Sequence, residues 1–251
     1  FQYLITIILN SFIIFIILQK NIMKKVNVGI LMLVGAMLSF LGCSSSQVSL
    51  KEVSAQENLN PNQILDILKS GNEHFVNHKN AFPHLDKTRM LEEISGQHPI
   101  ATIVSCSDSR VPVELVFDRG IGDLFVIRTA GNSLEDDMTM GSLEYAVEHL
   151  HTKLIVVVGH EKCGGITAAI SNHSAGKEPK EISSLIETLR NGVKPFVGKT
   201  ENLDDAIHYN VNHQIQKILQ NPELKELIEK GELKVVGGYY HLNNGKVDIL
   251  N

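Results

Sequence analysis

The chain has 251 residues, room for one domain of ordinary size and a leader. At 43% hydrophobic and 20% charged residues, with no Trp, no repeat and no low-complexity tract, its composition is that of a globular protein. A formal net charge of −5 argues against a nucleic-acid-binding surface.

The first forty residues differ in kind from the rest. FQYLITIILNSFIIFIIL is apolar enough to read as a membrane span. Met23 opens a second pattern: Lys24 and Lys25, an apolar run to Phe40, then LGCSSS, the layout of a secretory signal. Residues 23–42 are therefore read as a signal peptide and 1–22 as upstream translation or an apolar leader; two transmembrane helices are the alternative. The cut before Cys43 resembles a bacterial lipoprotein signal, with Leu41-Gly42-Cys43 closing its recognition box and Phe40 standing where an aliphatic residue is usual. That resemblance implies lipidation of Cys43 and an exported, membrane-anchored protein, periplasmic or at the cell surface. Residues 43–59 are polar, lack aromatics and read as a tether. The folded domain is expected over 60–251.

Asn60-Pro61 predicts a helix start, and Ile64, Leu65, Leu68 and Phe75 give an amphipathic helix over roughly 61–78. A short helix is expected at about 87–94, ended by Gly96. PIATIVS is a β-branched apolar run that reads as a buried strand ending at Ser105. DLFVIRTA (123–130) is a second strand, residues 139–150 are helical, and KLIVVVG (153–159) is the clearest buried strand. Helices follow at 164–171, opening just after a glycine pair, then at 180–191, 202–219 and 223–230. LKVVGGYYHL (233–242) is a strand, and GKVDIL closes a hairpin turned at Asn243-Asn244-Gly245. Strands alternating with helices predict an α/β domain: a mostly parallel central sheet flanked by helices, with an N-terminal helical arm. Ligands of such sheets sit beyond the carboxyl ends of the strands. Cys106 follows one strand end; His160 and Cys163 follow another.

SCSDSRV places a thiol, a carboxylate and a guanidinium two residues apart, at Cys106, Asp108 and Arg110, and GHEKCGG supplies His160 and Cys163. Two thiolates and an imidazole suit Zn²⁺. With Cys43 in the leader, three ligands are found rather than four, and the count favours an open, catalytic site. A helix opening at Gly164 would direct its positive end toward Cys163 and favour the thiolate. A Cys106–Cys163 disulfide is the alternative for an exported protein, but leaves His160, Asp108 and Arg110 unexplained. Asp108 and Arg110 alone would read as an ordinary loop ion pair. GVKPFVGKT (192–200) is rejected as a phosphate loop, because its glycines are misspaced and it contains Pro195.

CSDSRV and GHEKCGG, separated by GDLFVIRTAGN and each set after a buried strand, resemble the β-class carbonic anhydrases from about Asn60 to the C-terminus. The resemblance implies zinc bound by Cys106, His160 and Cys163, with water, or Asp108 in a resting form, as fourth ligand. It implies reversible conversion of CO₂ and water to bicarbonate and a proton, which needs hydroxide at neutral pH; zinc lowers the pKa of its water from 15.7 to about 7. Asp108 would then accept a hydrogen bond from that hydroxide, and Arg110 would hold Asp108 ionised and off the metal, preferably by a bidentate fork. Gln97 stands where the plant-like subgroup has a substrate-binding glutamine; Phe125 and Tyr145 stand at cleft-lining positions, and Ala130 where that subgroup often has Val. In the family part of this wall comes from a second subunit, so at least a homodimer is implied. The other subgroup carries a Trp where this chain has Ile103, so the open, water-bound resting form is expected. Two further readings stand beside this one: hydrolysis of carbonyl sulfide or carbon disulfide on the same fold, and a non-catalytic zinc-binding lipoprotein, which the intact Asp108 and Arg110 disfavour.

Overall fold

A computed structural model describes residues 59–171 and 178–250. The chain divides into two units, 1–54 and 55–251, and all described residues belong to the second. The apolar leader, the signal, Cys43 and the tether as far as residue 58 lie outside them.

Helix α1 (Pro61–Val76) starts where Asn60 accepts the N–H groups of Asn62 and Gln63 while Gln63 reaches back to the Asn60 N–H. Such a cap stabilises a helix by about 1 kcal/mol. Its buried stripe of Ile64, Leu65 and Leu68 faces the sheet. Helix α2 (Lys87–Glu92), capped by Asp86, runs into a 3₁₀ turn at 93–95 that stops at Gly96.

The sheet has five strands: β1 (Ala101–Cys106), β2 (Leu124–Thr129), β3 (Leu154–His160), β4 (Lys234–Tyr240) and β5 (Val247–Leu250). Their spatial order is β2-β1-β3-β4-β5, parallel throughout except the antiparallel edge strand β5. This is the mostly parallel α/β sheet expected from the alternating pattern. Every residue of β1 and β3 is buried, as strands covered on both faces must be.

One face is covered by α1 and the four-residue helix α3 (Val113–Val116), which pack on Ile103, Val156, Val158 and Val236. The other carries α4 (Asp137–Glu148), α7 (Leu203–Leu219) and α8 (Pro222–Glu229) over Val104, Ile155 and Val157. Between α4 and α7 the chain forms α5 (Gly164–Ile170) and α6 (Lys180–Gly192). Helix α7 approaches β3 and β4 closely because those strands carry glycine beneath it. A Cβ on Gly159 would stand 2.7 Å from Val211, and one on Gly237 would stand 2.9 Å from it.

Element bounds differ from the sequence expectation by a residue or two, and two differences matter. Strand β1 runs one residue past Ser105, because Cys106 still pairs with Thr129 of β2; β3 likewise reaches His160, which pairs with Tyr240. The first two candidate ligands are therefore the last residues of rigid strands rather than loop residues. Helix α4 starts at Asp137, two residues early, because Asp136 accepts the Thr139 N–H as its cap. The order in which strands are added reverses at β1: the connection from β1 leads to β2 on one side, and the chain then returns to β3 on the other. That is the topological switch at which open α/β sheets form their ligand sites.

Candidate metal centre

Cys106, His160 and Cys163 converge at this switch, all buried, with their ligand atoms within 4.8 Å of one another. Both cysteines are free, and their sulfurs lie 3.9 Å apart. That is nearly twice a disulfide bond of about 2.05 Å. Two sulfurs on one tetrahedral zinc, each at about 2.3 Å, stand about 3.8 Å apart. The spacing fits the metal and not the disulfide.

The imidazole agrees. His160 Nδ1 lies 2.9 Å from the Glu161 carbonyl oxygen, which can only accept, so Nδ1 carries the proton. Nε2 is left with a lone pair, fully buried and without a hydrogen-bond partner. A buried unpaired ring nitrogen costs stability unless something coordinates it. A divalent cation between it and the two sulfurs removes that cost, and a carbonyl-anchored imidazole is how metal-binding histidines are commonly oriented.

The sulfurs themselves sit in opposed electrostatic settings. Cys106 is held down to about 4, chiefly by the hydrogen bond from the Cys163 thiol, with the N–H of Gly131, 3.4 Å from Cys106 Sγ, acting in the same direction. Cys163 is pushed up, first because its thiol holds its proton in the hydrogen bond to Cys106, and then because burial and the neighbouring thiolate disfavour a second anion; the N–H groups of Gly165 and Ile166 in the first turn of α5 oppose that rise. The helix start at Gly164 thus acts on Cys163 in the sense its sequence implied. Two anions this close need a shared cation.

Asp108 and Arg110 form the expected fork. Arg110 Nε donates to Asp108 Oδ1 at 2.9 Å and Nη2 to Oδ2 at 2.7 Å, while the Arg110 backbone N–H also donates to Oδ1. The guanidinium holds the Asp108 carboxyl well below the usual carboxylate range. Asp108 Oδ2 lies 3.8 Å from His160 Nε2, outside hydrogen-bond reach and beside the metal-binding atoms. Arg110 Nη2 also donates to the Lys162 carbonyl at 3.3 Å, which ties the two ligand-bearing segments together.

Two supporting groups were not singled out from the sequence. Arg128, exposed near the end of β2, donates to the carbonyls of Cys106 (3.1 Å) and Asp108 (2.7 Å), bracketing the turn between them. Glu161 accepts the Leu242 N–H through its side chain at 3.0 Å and donates its own N–H to the Tyr240 carbonyl, pinning the His160–Cys163 segment to the end of β4. A charged residue inside an otherwise apolar strand was the available signal for Arg128. For Glu161, between two ligands in the sequence, there was none.

The cleft residues divide. Ala130 stands at the metal end, beside Gly131 and within 3.6 Å of where a Cβ on Gly165 would be. Phe125 pairs across the sheet with Thr102, four residues before Cys106, which puts it about 13 Å down the strands from the metal end. Tyr145 is Phe125's neighbour, with ring centroids 6.3 Å apart. Gln97 is exposed in the segment that enters β1 from the opposite end. One chain brings together the ligands, Asp108, Arg110 and Ala130, but not Phe125, Tyr145 or Gln97.

Comparison with known proteins gives the same class. A family model described as carbonic anhydrase matches residues 101–247. Carbonic anhydrase 2 of Mycobacterium tuberculosis is 34% identical over 194 residues, spanning 75% of this chain and 92% of that protein. The carbonic anhydrase of Mycolicibacterium smegmatis is 33% identical over 198 residues, covering 76% and 94%. Among solved structures, a Coccomyxa β-carbonic anhydrase in complex with acetazolamide superposes with a TM-score of 0.59 at 27% identity, covering 72% of this chain and 83% of that one. Such a site on such a sheet defines a zinc-dependent lyase of the open α/β class. The chain belongs to the β-class carbonic anhydrase family.

Proposed function

We propose that this chain interconverts CO₂ and bicarbonate with Cys106, His160 and Cys163 as its zinc ligands, Asp108 as the residue that orients the nucleophile, and Arg110 as its restraint. Bound zinc supplies a water acidic enough to yield hydroxide near neutral pH. The observation that carries the reading is the pairing of a metal-sized sulfur spacing, 3.9 Å, with a buried, unpartnered His160 Nε2 beside an arginine-held carboxylate. Asp108 Oδ1 is occupied by two Arg110 donors, whereas Oδ2 takes one and keeps a lone pair for a substrate-side O–H. Because Arg110 depresses its pKa, Asp108 stays an acceptor through the acid side of neutrality. Asp108→Ala is expected to keep one zinc per chain by elemental analysis while losing hydration activity about 100-fold or more. Unchanged turnover would remove Asp108 from the mechanism. Assays with carbonyl sulfide and carbon disulfide on the same preparation separate hydration from hydrolysis of these CO₂-like substrates, and zinc-loaded protein without any hydration would leave only a binding role.

Phe125, Tyr145 and Gln97 then serve the site of a second copy. Support comes from the distance of Phe125 and Tyr145 from the metal end of their own chain and from the large apolar side chains exposed in the segment before Gln97: Met90, Leu91 and Ile94. An apolar surface of this kind marks an interface. A β-carbonic anhydrase of Sordaria macrospora, one of two described as tetrameric, is 28% identical to this chain in a superposition with TM-score 0.57 that covers 72% of this chain and 94% of the other. A homodimer, alone or within a larger homo-oligomer, is the assembly proposed here. The signal-like residues 23–42 and Cys43 support export and lipid anchoring to a bacterial membrane. Labelling of the cell-expressed chain with a fatty-acid analogue, lost in Cys43→Ala, tests that assignment.

A further inference from the structure

Behind the metal centre, α7 carries two amides that the chemistry above does not use. Asn210 and Gln214, one helical turn apart, are 0% and 1% exposed on a face otherwise made of Ala206, Ile207, Val211 and Ile218. Buried amides keep their place only when their hydrogen bonds are met. Asn210 Nδ2 donates to the Gly131 carbonyl at 2.8 Å, and its Oδ1 accepts from Gln214 Nε2 at 3.2 Å. Gln214 Oε1 accepts the Leu134 N–H at 3.0 Å. The pair therefore grips the segment from Gly131 to Leu134 from behind.

The front of that segment faces the site: the Gly131 N–H donates to Cys106 Sγ at 3.4 Å. Gly131 has φ +67, and a Cβ there would stand 2.8 Å from Leu189 Cδ2, so the turn requires glycine. Room for the amide is likewise built in, since a Cβ on Gly192 would lie 2.8 Å from Asn210 Oδ1.

We infer that Asn210 is a positioning residue for the metal centre, holding Gly131 so that its N–H stays on the sulfur of Cys106. The inference rests on the zinc-site reading above. An N–H donor draws electron density from a thiolate, and groups behind the ligands tune a site's affinity and electronics in this way. A site with two thiolates has the most charge to temper. Leu134 and its neighbours could hold the turn in place, but no other side chain reaches the Gly131 carbonyl among the described hydrogen bonds.

Nuclear magnetic resonance on the unmodified chain loaded with ¹¹³Cd tests this directly. The amide proton of Gly131 is expected to show a scalar coupling to cadmium across the Cys106 sulfur. A chain that binds one cadmium but shows no coupling overturns the inference alone; a chain that binds none refutes the metal reading and the inference with it. Asn210→Leu keeps the approximate size and removes the donor. In the Co²⁺-loaded variant the thiolate-to-cobalt absorption is expected to move to longer wavelength, and affinity in competition with a chelator to fall about tenfold. A variant that merely melts earlier, with band and affinity unchanged, gives Asn210 a structural role only.

Discussion

The two ends of the sheet are finished to different degrees. At the carboxyl ends of β1 and β3, one chain supplies the ligands, the Asp108–Arg110 fork, the Arg128 and Glu161 anchors and the amides behind them. Around α2 and the segment that enters β1, Met90, Leu91 and Ile94 meet water, and Phe125 and Tyr145 have no metal centre of their own chain beside them. The first region needs only an ion to be complete. The second exposes apolar side chains that the proposed second copy would cover. Metal binding and catalysis should therefore depend on different parts of the molecule, and variants can pull them apart.

The largest effect is expected at the metal end. Cys163→Ser replaces a thiolate by a hydroxyl that does not ionise near neutral pH, at a position 1% exposed. Elemental analysis should find the zinc gone, and hydration should fall to the level of buffer. Circular dichroism should still show the α/β signature, because the sheet core of Ile103, Val156, Val158 and Val236 lies apart from the ion. A variant that retains stoichiometric zinc would show that Cys163 is not a ligand.

Much of the metal end was legible in the sequence because its chemistry is concentrated in two short runs that each follow a strand. Cys106, Asp108 and Arg110 lie within five residues, and His160 and Cys163 within four. The strands were legible for a related reason: buried parallel strands are unbroken β-branched runs, and KLIVVVG is the clearest of them. Other features were hidden because they depend on residues distant in sequence. Asn210 meets Gly131 across 79 positions, and nothing in LDDAIHYNVNHQIQKIL marks one amide as inward-facing. The register that sets Phe125 against Thr102, and so away from the metal, is a property of strand pairing. Helix α3 is a single four-residue turn after Pro112, too short for any periodicity to show.

A smaller effect is expected from the apolar end. Leu91→Asp with Ile94→Asp places two charges on side chains that are already exposed, 57% and 76%, so the lone chain should fold as before. If this face meets a second copy, the charges must be buried unpaired, which disfavours association strongly. Analytical ultracentrifugation should show the assembly dissociating. Hydration per bound zinc should fall about tenfold or more as Phe125, Tyr145 and Gln97 are withdrawn from the partner's cleft, while zinc content stays at one per chain. An unchanged oligomer would place the interface elsewhere.

The smallest effect, and the most discriminating, concerns Arg128. Arg128→Met keeps the apolar stem and removes the two donors that hold the Cys106 and Asp108 carbonyls. The bonds lie at the exposed edge of the site, so water can take their place and stability should change by about 1 kcal/mol or less. Zinc should be retained, because Cys106 is fixed as the last residue of β1 by its pairing with Thr129. Asp108 has no strand to hold it. Its placement depends on the turn, and a displacement of about 1 Å at a reacting group can cost on the order of 100-fold in rate; with Arg110 still in place, a loss of about tenfold in kcat is expected. Arg128→Lys, with one donor tip where the guanidinium offers a fork, should fall between the two. Wild-type kcat in both variants would mean that the Asp108–Arg110 fork alone positions the carboxylate, with the turn beneath it free to move.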